Sequence, residues 1–251
     1  MTLWQNFKKI AIVLLTGGCV SYTPPSDYIY KEISVPPFVL ASWQKVSRSG
    51  EPLTVYLEGD GHSFDSRGQA TKDPTPRYTT LRDIAFRDSD ANVVYLARPC
   101  QFVMTKNCNR KYWTDARFAP EVVEAEAEAV RILMKQNNSP ETILVGYSGG
   151  AMIAALIAVQ NPDIKVKKLI TIAGLLDHET WTSYHQVPPL AKSLNLKDYQ
   201  REFSKIPQIH FLAEKDTVVL PQISPVKKQA VIIGGATHSS GWEKLNLKNY
   251  K

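Results

Sequence analysis

The chain has 251 residues, 43% of them hydrophobic and 22% charged, and a formal net charge of +6. That apolar content supports one sizeable buried core without a second domain, and no block of like charge marks a long disordered span. The positive charge is not gathered into a basic helix, an aromatic-and-basic stripe or a zinc-finger spacing, which excludes nucleic acid as the expected partner.

At the N-terminus, Lys8 and Lys9 precede the apolar run at residues 10–15, then Gly17, Gly18 and Cys19. This is the order of a signal peptide, and the run is too short to span a bilayer, which takes roughly 20 residues. Small residues before a cysteine resemble a bacterial lipoprotein signal, with Thr16 where such signals usually carry leucine. The resemblance implies a leader at 1–18, lipidation of Cys19, a tether at 19–26 and one folded domain at 27–251. Cleavage as an ordinary secretory leader is the alternative. Either route leads out of the cytoplasm, and lipidation would hold the protein in the cell envelope, facing the periplasm.

Three cysteines leave one over after a disulfide forms, and Cys19 has its own use. Cys100 and Cys108 are the expected pair, in a Pro-, Asn- and Lys-containing loop where a bridge contributes about 2 to 3 kcal/mol. Two unrelated thiols are the alternative reading. No other Cys/His spacing suits zinc, so no metal is expected.

Strand-like runs recur from Phe38–Val46 through Leu53–Leu57 and Asn92–Leu96. Pro120–Gln136 has helical periodicity, its apolar residues interleaved with glutamates expected on the other face and crowded toward the N-terminal half, where the helix dipole favours them. The apolar run at 142–145 reads as a strand covered on both faces, and the Ala- and Ile-rich Gly149–Gln160 as a buried helix stopped by Pro162. Further strands are expected at 169–173, 208–212 and 230–233. Alternating strands and helices predict a mostly parallel α/β sheet with helices on both faces.

The segment Gly146-Tyr147-Ser148-Gly149-Gly150 lies where the strand at 142–145 passes into the helix. A Gly-x-Ser-x-Gly there puts the serine at a sharp turn, with the helix N-terminus offering the Gly149 N–H to a developing negative charge. A serine capping a buried helix is the plainer reading. A nucleophilic serine needs a base and a carboxylate, and both follow at strand ends: Glu214 and Asp216 after 208–212, and His238 after 230–233.

From about Phe38 to Trp242 the chain resembles the α/β-hydrolase superfamily. The resemblance implies Ser148 as nucleophile, His238 as general base and Asp216 as the carboxylate that orients it, with Glu214 and Asp177 as competitors for the last role. Glu58-Gly59-Asp60-Gly61-His62 resembles the oxyanion loop, which makes Gly59, Asp60 and Gly61 candidate donors beside Gly149. Residues 177–206 occupy the place of a cap, where Trp181, Tyr184, Pro188, Pro189 and Leu190 could line a pocket or simply pack. The segments around Arg98, Cys100, Gln101, Cys108, Tyr112, Trp113, Leu176, His178 and Trp181 resemble a group of bacterial envelope hydrolases distantly similar to dienelactone hydrolases. The implied activity is cleavage of an ester, thioester or amide of a small or acylated substrate through an acyl-enzyme, with no cofactor. A catalytically silent binding lipoprotein and an acyltransferase are the rival expectations.

Overall fold

The computed structural model describes residues 24–251. The expected leader and Cys19 lie outside these residues, as does most of the expected tether. One sheet of eight strands runs through the described body in the order β1-β2-β4-β3-β5-β6-β7-β8. Its members are β1 (Ile29–Val35), β2 (Phe38–Val46), β3 (Leu53–Leu57), β4 (Asn92–Leu96), β5 (Thr142–Tyr147), β6 (Val166–Ile172), β7 (Gln208–Ala213) and β8 (Val231–Ile233). β1 pairs antiparallel with β2 and β2 antiparallel with β4, while all later pairings are parallel. The expected mostly parallel α/β architecture is what the chain builds.

The central strands carry apolar side chains on both faces because both faces are covered. Leu53, Val55 and Leu57 of β3, Val94 and Leu96 of β4, and Leu144 of β5 point into one core. It is closed by α2 (Pro120–Gln136) and α3 (Gly149–Gln160). Tyr56, Tyr95, Val145 and Tyr147 point the other way, under α1 (Thr80–Phe86), Trp242 and Leu247. On α2, Val122, Val123, Ala127, Val130 and Leu133 form the buried stripe that its helical period predicts.

The chain enters the body at the end of the sheet where the parallel strands begin. Tyr28 N–H closes a turn onto Pro25 O at 3.0 Å. The Tyr28 hydroxyl donates to Ala85 O at 2.8 Å. Asp27 stands 4.0 Å from Lys45, which is level with Val93 near the start of β4. The loops that follow β3, β5, β7 and β8 all leave from the opposite end.

His210, buried at 1% exposure in β7, faces Thr171 of β6 across the ladder. Its Nδ1 lies 2.8 Å from the Thr171 hydroxyl and its Nε2 lies 2.8 Å from Gln208 Oε1. Burial pushes its pKa down to about 4 from the ordinary 6.5, so the unfolded chain takes up a proton in this range that the folded chain refuses. Its contribution is present in full above pH 6.5 and is lost as pH falls toward 4, amounting to about 3 kcal/mol. Urea titrations at pH 7 and pH 4 should therefore show the wild type losing about that much more stability than His210→Gln. Parallel losses in the two proteins would refute the assignment.

Candidate active site

The turn between β5 and α3 is held in an unusual conformation. Ser148 has φ 51° and ψ −123°, which a side-chain-bearing residue adopts only under constraint. The constraint is visible: Ser148 N–H donates to Ile172 O at 3.0 Å, and Ser148 O accepts from Leu175 N at 3.0 Å and Ala151 N at 3.1 Å. The flanking glycines answer to close approach. A Cβ on Gly150 would stand 2.2 Å from Leu57 O, and one on Gly149 would stand 2.1 Å from Asp60 Oδ1.

Ser148 Oγ lies 3.0 Å from His238 Nε2, and His238 Nδ1 lies 2.8 Å from Asp216 Oδ2. The other Asp216 oxygen accepts from Val218 N at 2.8 Å and Val219 N at 2.9 Å, fixing a carboxylate that is only 4% exposed. Such a carboxylate holds the proton on Nδ1 and leaves Nε2 free to accept from the serine hydroxyl. The His238 carbonyl is itself anchored by the Tyr147 hydroxyl at 2.8 Å and Trp242 Nε1 at 3.1 Å. The competing carboxylates stand elsewhere. Glu214 accepts from Gly235 N at 2.7 Å and so braces the turn before His238. Asp177 caps α4 (His178–His185), accepting from Glu179 N at 3.1 Å and Thr180 N at 3.2 Å.

Among the four candidate oxyanion donors, the Gly59 N–H is engaged, donating to Glu58 Oε1 at 2.7 Å. Gly61 serves the turn: its φ is +64°, and a Cβ there would stand 2.1 Å from Pro74 O. The amides of Asp60, Gly61 and Gly149 donate to no described residue, so Gly59 is the one of the four candidates whose N–H is already taken. Asp60 is gripped from below. Its Oδ2 accepts from Arg117 Nη1 at 2.6 Å and its Oδ1 from Arg98 Nη1 at 3.3 Å. Arg98 also pairs with Glu126 at 2.7 Å and donates through Nη2 to Arg117 O. Gln101 ties the same layer together, donating to Gly59 O at 2.9 Å and accepting from Arg98 N at 3.1 Å. Cys100 and Cys108 are bridged, with Cα atoms 5.6 Å apart, and close the loop that carries Gln101.

Burial pushes the Glu126 carboxyl up to about 7 against the pull of Arg98. Burial also raises Glu58, although the Tyr95 hydroxyl at 2.6 Å and the Gly59 amide both stabilise its charge. The clamp of Glu58, Arg98, Gln101, Arg117 and Glu126 was not singled out as part of the site from the sequence. One signal was there: Glu126 falls inside the apolar stripe of α2, between Val122 and Val130, and a carboxylate in that position demands a buried cation.

These groups open into a cleft of about 620 Å³. Leu175, Trp181, Val218 and Val219 line it on one side, and His62, Arg77, Tyr78 and Ser239 also face it. The segment expected to act as a cap divides. Trp181 of α4 reaches the cleft and donates from Nε1 to Val218 O at 2.6 Å, whereas Tyr184 is 55% exposed. Leu190, Leu196 and Phe203 join the core on the α3 side of the sheet. Among the described residues no group of three His, Cys, Asp or Glu side chains is placed to hold a metal, and no helix is long and apolar enough to cross a membrane.

Solved structures with the same architecture include a hydrolase described as CIB-like from Thermoplasma acidophilum. It is 19% identical, with TM-score 0.55 over 86% of this chain and 91% of that one. Est1E from Butyrivibrio proteoclasticus is 16% identical, with TM-score 0.59 over 85% of this chain and 91% of its own. The α/β-hydrolase GrgF from Penicillium sp. sh18 is 13% identical, with TM-score 0.62 over 89% and 94%. At these identities the likeness shows the fold, which is that of the α/β-hydrolases. No curated protein matches the chain in sequence. Residues 75–226, more than half of the chain, match the family described as Serine hydrolase (FSH1), and the chain therefore belongs to that family.

Proposed function

We propose that the protein cleaves carboxylic esters through an acyl-enzyme on Ser148. The observation that carries this reading is the continuous hydrogen-bonded line from Ser148 Oγ through His238 to Asp216 at the floor of the cleft. In the first half-reaction Ser148 Oγ attacks the acyl carbon while His238 Nε2 takes the hydroxyl proton. The carbonyl oxygen gains negative charge that the Gly149 amide and the uncommitted amides of Asp60 and Gly61 are offered to receive, each such donor being worth about 3 kcal/mol in related chemistry. The ester C–O bond then breaks, and His238 returns the proton to the departing alkoxide. In the second half-reaction His238 takes a proton from water, the hydroxide attacks the acyl carbon, and the acid leaves as Ser148 is reprotonated. Every group this sequence needs is supplied by the chain.

A fluorophosphonate probe tests the reading without knowledge of the substrate. The folded wild type should be labelled covalently within minutes, and Ser148→Ala should not be labelled at all. Equal labelling of the two proteins, or no labelling of wild type with an intact circular dichroism spectrum, rejects Ser148 as the nucleophile.

A further inference from the structure

Among the described residues, the charges that line the cleft are paired, with one exception. Asp60 and Arg117 hold each other, and the buried Glu58 carboxylate accepts from Tyr95 and Gly59. Asp216, behind His238, is likewise engaged. Arg77 also lines the cleft, is exposed, and makes no ion pair or hydrogen bond with any described residue. A guanidinium keeps its charge at any physiological pH and offers a planar fork of donors matched to carboxylate and phosphate oxygens.

Its position relative to His238 says which part of a substrate it would meet. The leaving alkoxide must come within hydrogen-bond reach of His238 Nε2 to be protonated. The residue after His238 is Ser239, whose carbonyl accepts from Thr80 Oγ1 at 2.9 Å. That bond joins the segment Arg77–Thr80 to the loop carrying His238, Tyr78 and Ser239 meet at the rim, and Arg77, next to Tyr78 in sequence, lines the same cleft. The apolar residues Leu175, Trp181, Val218 and Val219 form the other lining, to which Trp181 is tied through Val218 O. The cleft thus offers apolar lining for an acyl group, and its one unpaired cation among the described residues sits on the segment tied to the loop of His238, which must protonate the leaving group.

We propose that the preferred substrates are esters whose alcohol carries an anionic group, a carboxylate or a phosphate, received by Arg77, with an apolar acyl chain against Trp181 and Val218. This rests on the acyl-enzyme reading above and specifies which esters that chemistry serves.

The test compares butyryl esters of three phenols: 3-hydroxybenzoate, 3-hydroxyphenyl phosphate and the uncharged 3-hydroxybenzamide. Each kcat/KM is divided by the ester's own rate with hydroxide. The wild type should favour the anionic esters by about two- to five-fold, the size expected of one solvent-exposed ion pair. Arg77→Ala should bring that ratio to about one, Arg77→Lys should keep part of it, and Arg77→Glu should invert it. Added salt should shrink the wild-type ratio. The larger of the two anionic rates tells carboxylate from phosphate. A wild type without preference, or an Arg77→Ala protein with the wild-type ratio, overturns the proposal while leaving the Ser148 reading standing. Hydrolysis of none of the three esters, with no fluorophosphonate labelling, rejects both.

Discussion

Asp216→Asn should lower kcat on a p-nitrophenyl ester by about four orders of magnitude, some 5.5 kcal/mol of barrier, in a protein that melts close to the wild type. The reason lies in which atom holds the proton. Asparagine can keep its oxygen on the Val218 and Val219 amides, where Asp216 Oδ1 now accepts at 2.8 and 2.9 Å. Its amide then points N–H at His238 Nδ1, which must become an acceptor. The imidazole proton moves to Nε2, opposite Ser148 Oγ at 3.0 Å, and the base can no longer accept from the nucleophile. Asp177→Asn and Glu214→Gln should each stay within about two-fold of wild type, since both carboxylates work in local turns away from the imidazole. A comparable loss in either of them, or near-normal turnover in Asp216→Asn, would move the orienting role to another residue.

Gly150→Ala should cost at least about 3 kcal/mol and lower the melting temperature by roughly 6 to 12 °C. An added methyl group would stand 2.2 Å from Leu57 O and 2.4 Å from Glu58 O. Both are backbone atoms at the end of a central strand, so neither can rotate aside as a side chain could. The first turn of α3 would have to lift from the sheet, carrying the Gly149 amide away from the Asp60 loop, so turnover should fall along with stability. Gly234→Ala is the matched control, because nothing lies within 4 Å of a Cβ there and its φ needs no glycine. Thermal melts of the two variants settle the comparison, and equal melting temperatures would mean that the helix yields more cheaply than close packing implies.

The hydrophobic pattern made the catalytic half of the sheet readable. Continuous apolar runs at β5 and α3 bracket Ser148 so tightly that few other folds accommodate them, and Asp216 and His238 follow at strand ends in a fixed order. β1 escaped because it is an edge strand whose adjacent Lys31 and Glu32 break any alternation, its first four residues being exposed. α1 escaped because seven residues carry too little periodicity to register, even with Leu81, Ile84 and Ala85 in step. The clamp under the oxyanion loop was hidden for a different reason. Asp60 meets Arg98 across 38 positions and Arg117 across 57, a juxtaposition that only the folded sheet creates. The occupied state of the Gly59 amide is equally invisible, since no residue type announces where a given N–H will point.

The turn at Pro25 to Tyr28 brings the chain in at the foot of the sheet, while Ser148 and His238 stand at its head. Eight positions separate Asp27 from Cys19, a reach of at most about 28 Å, against a body some 45 Å across. Were Cys19 lipidated, a fully inverted posture, with the mouth of the cleft pressed to the membrane and the foot of the sheet away from it, would lie beyond that reach. Head-on access to the lipids of the anchoring membrane would then be closed. Esters arriving by diffusion from the aqueous side would then be favoured, and water solubility, which an anionic alcohol confers, would count toward being a substrate.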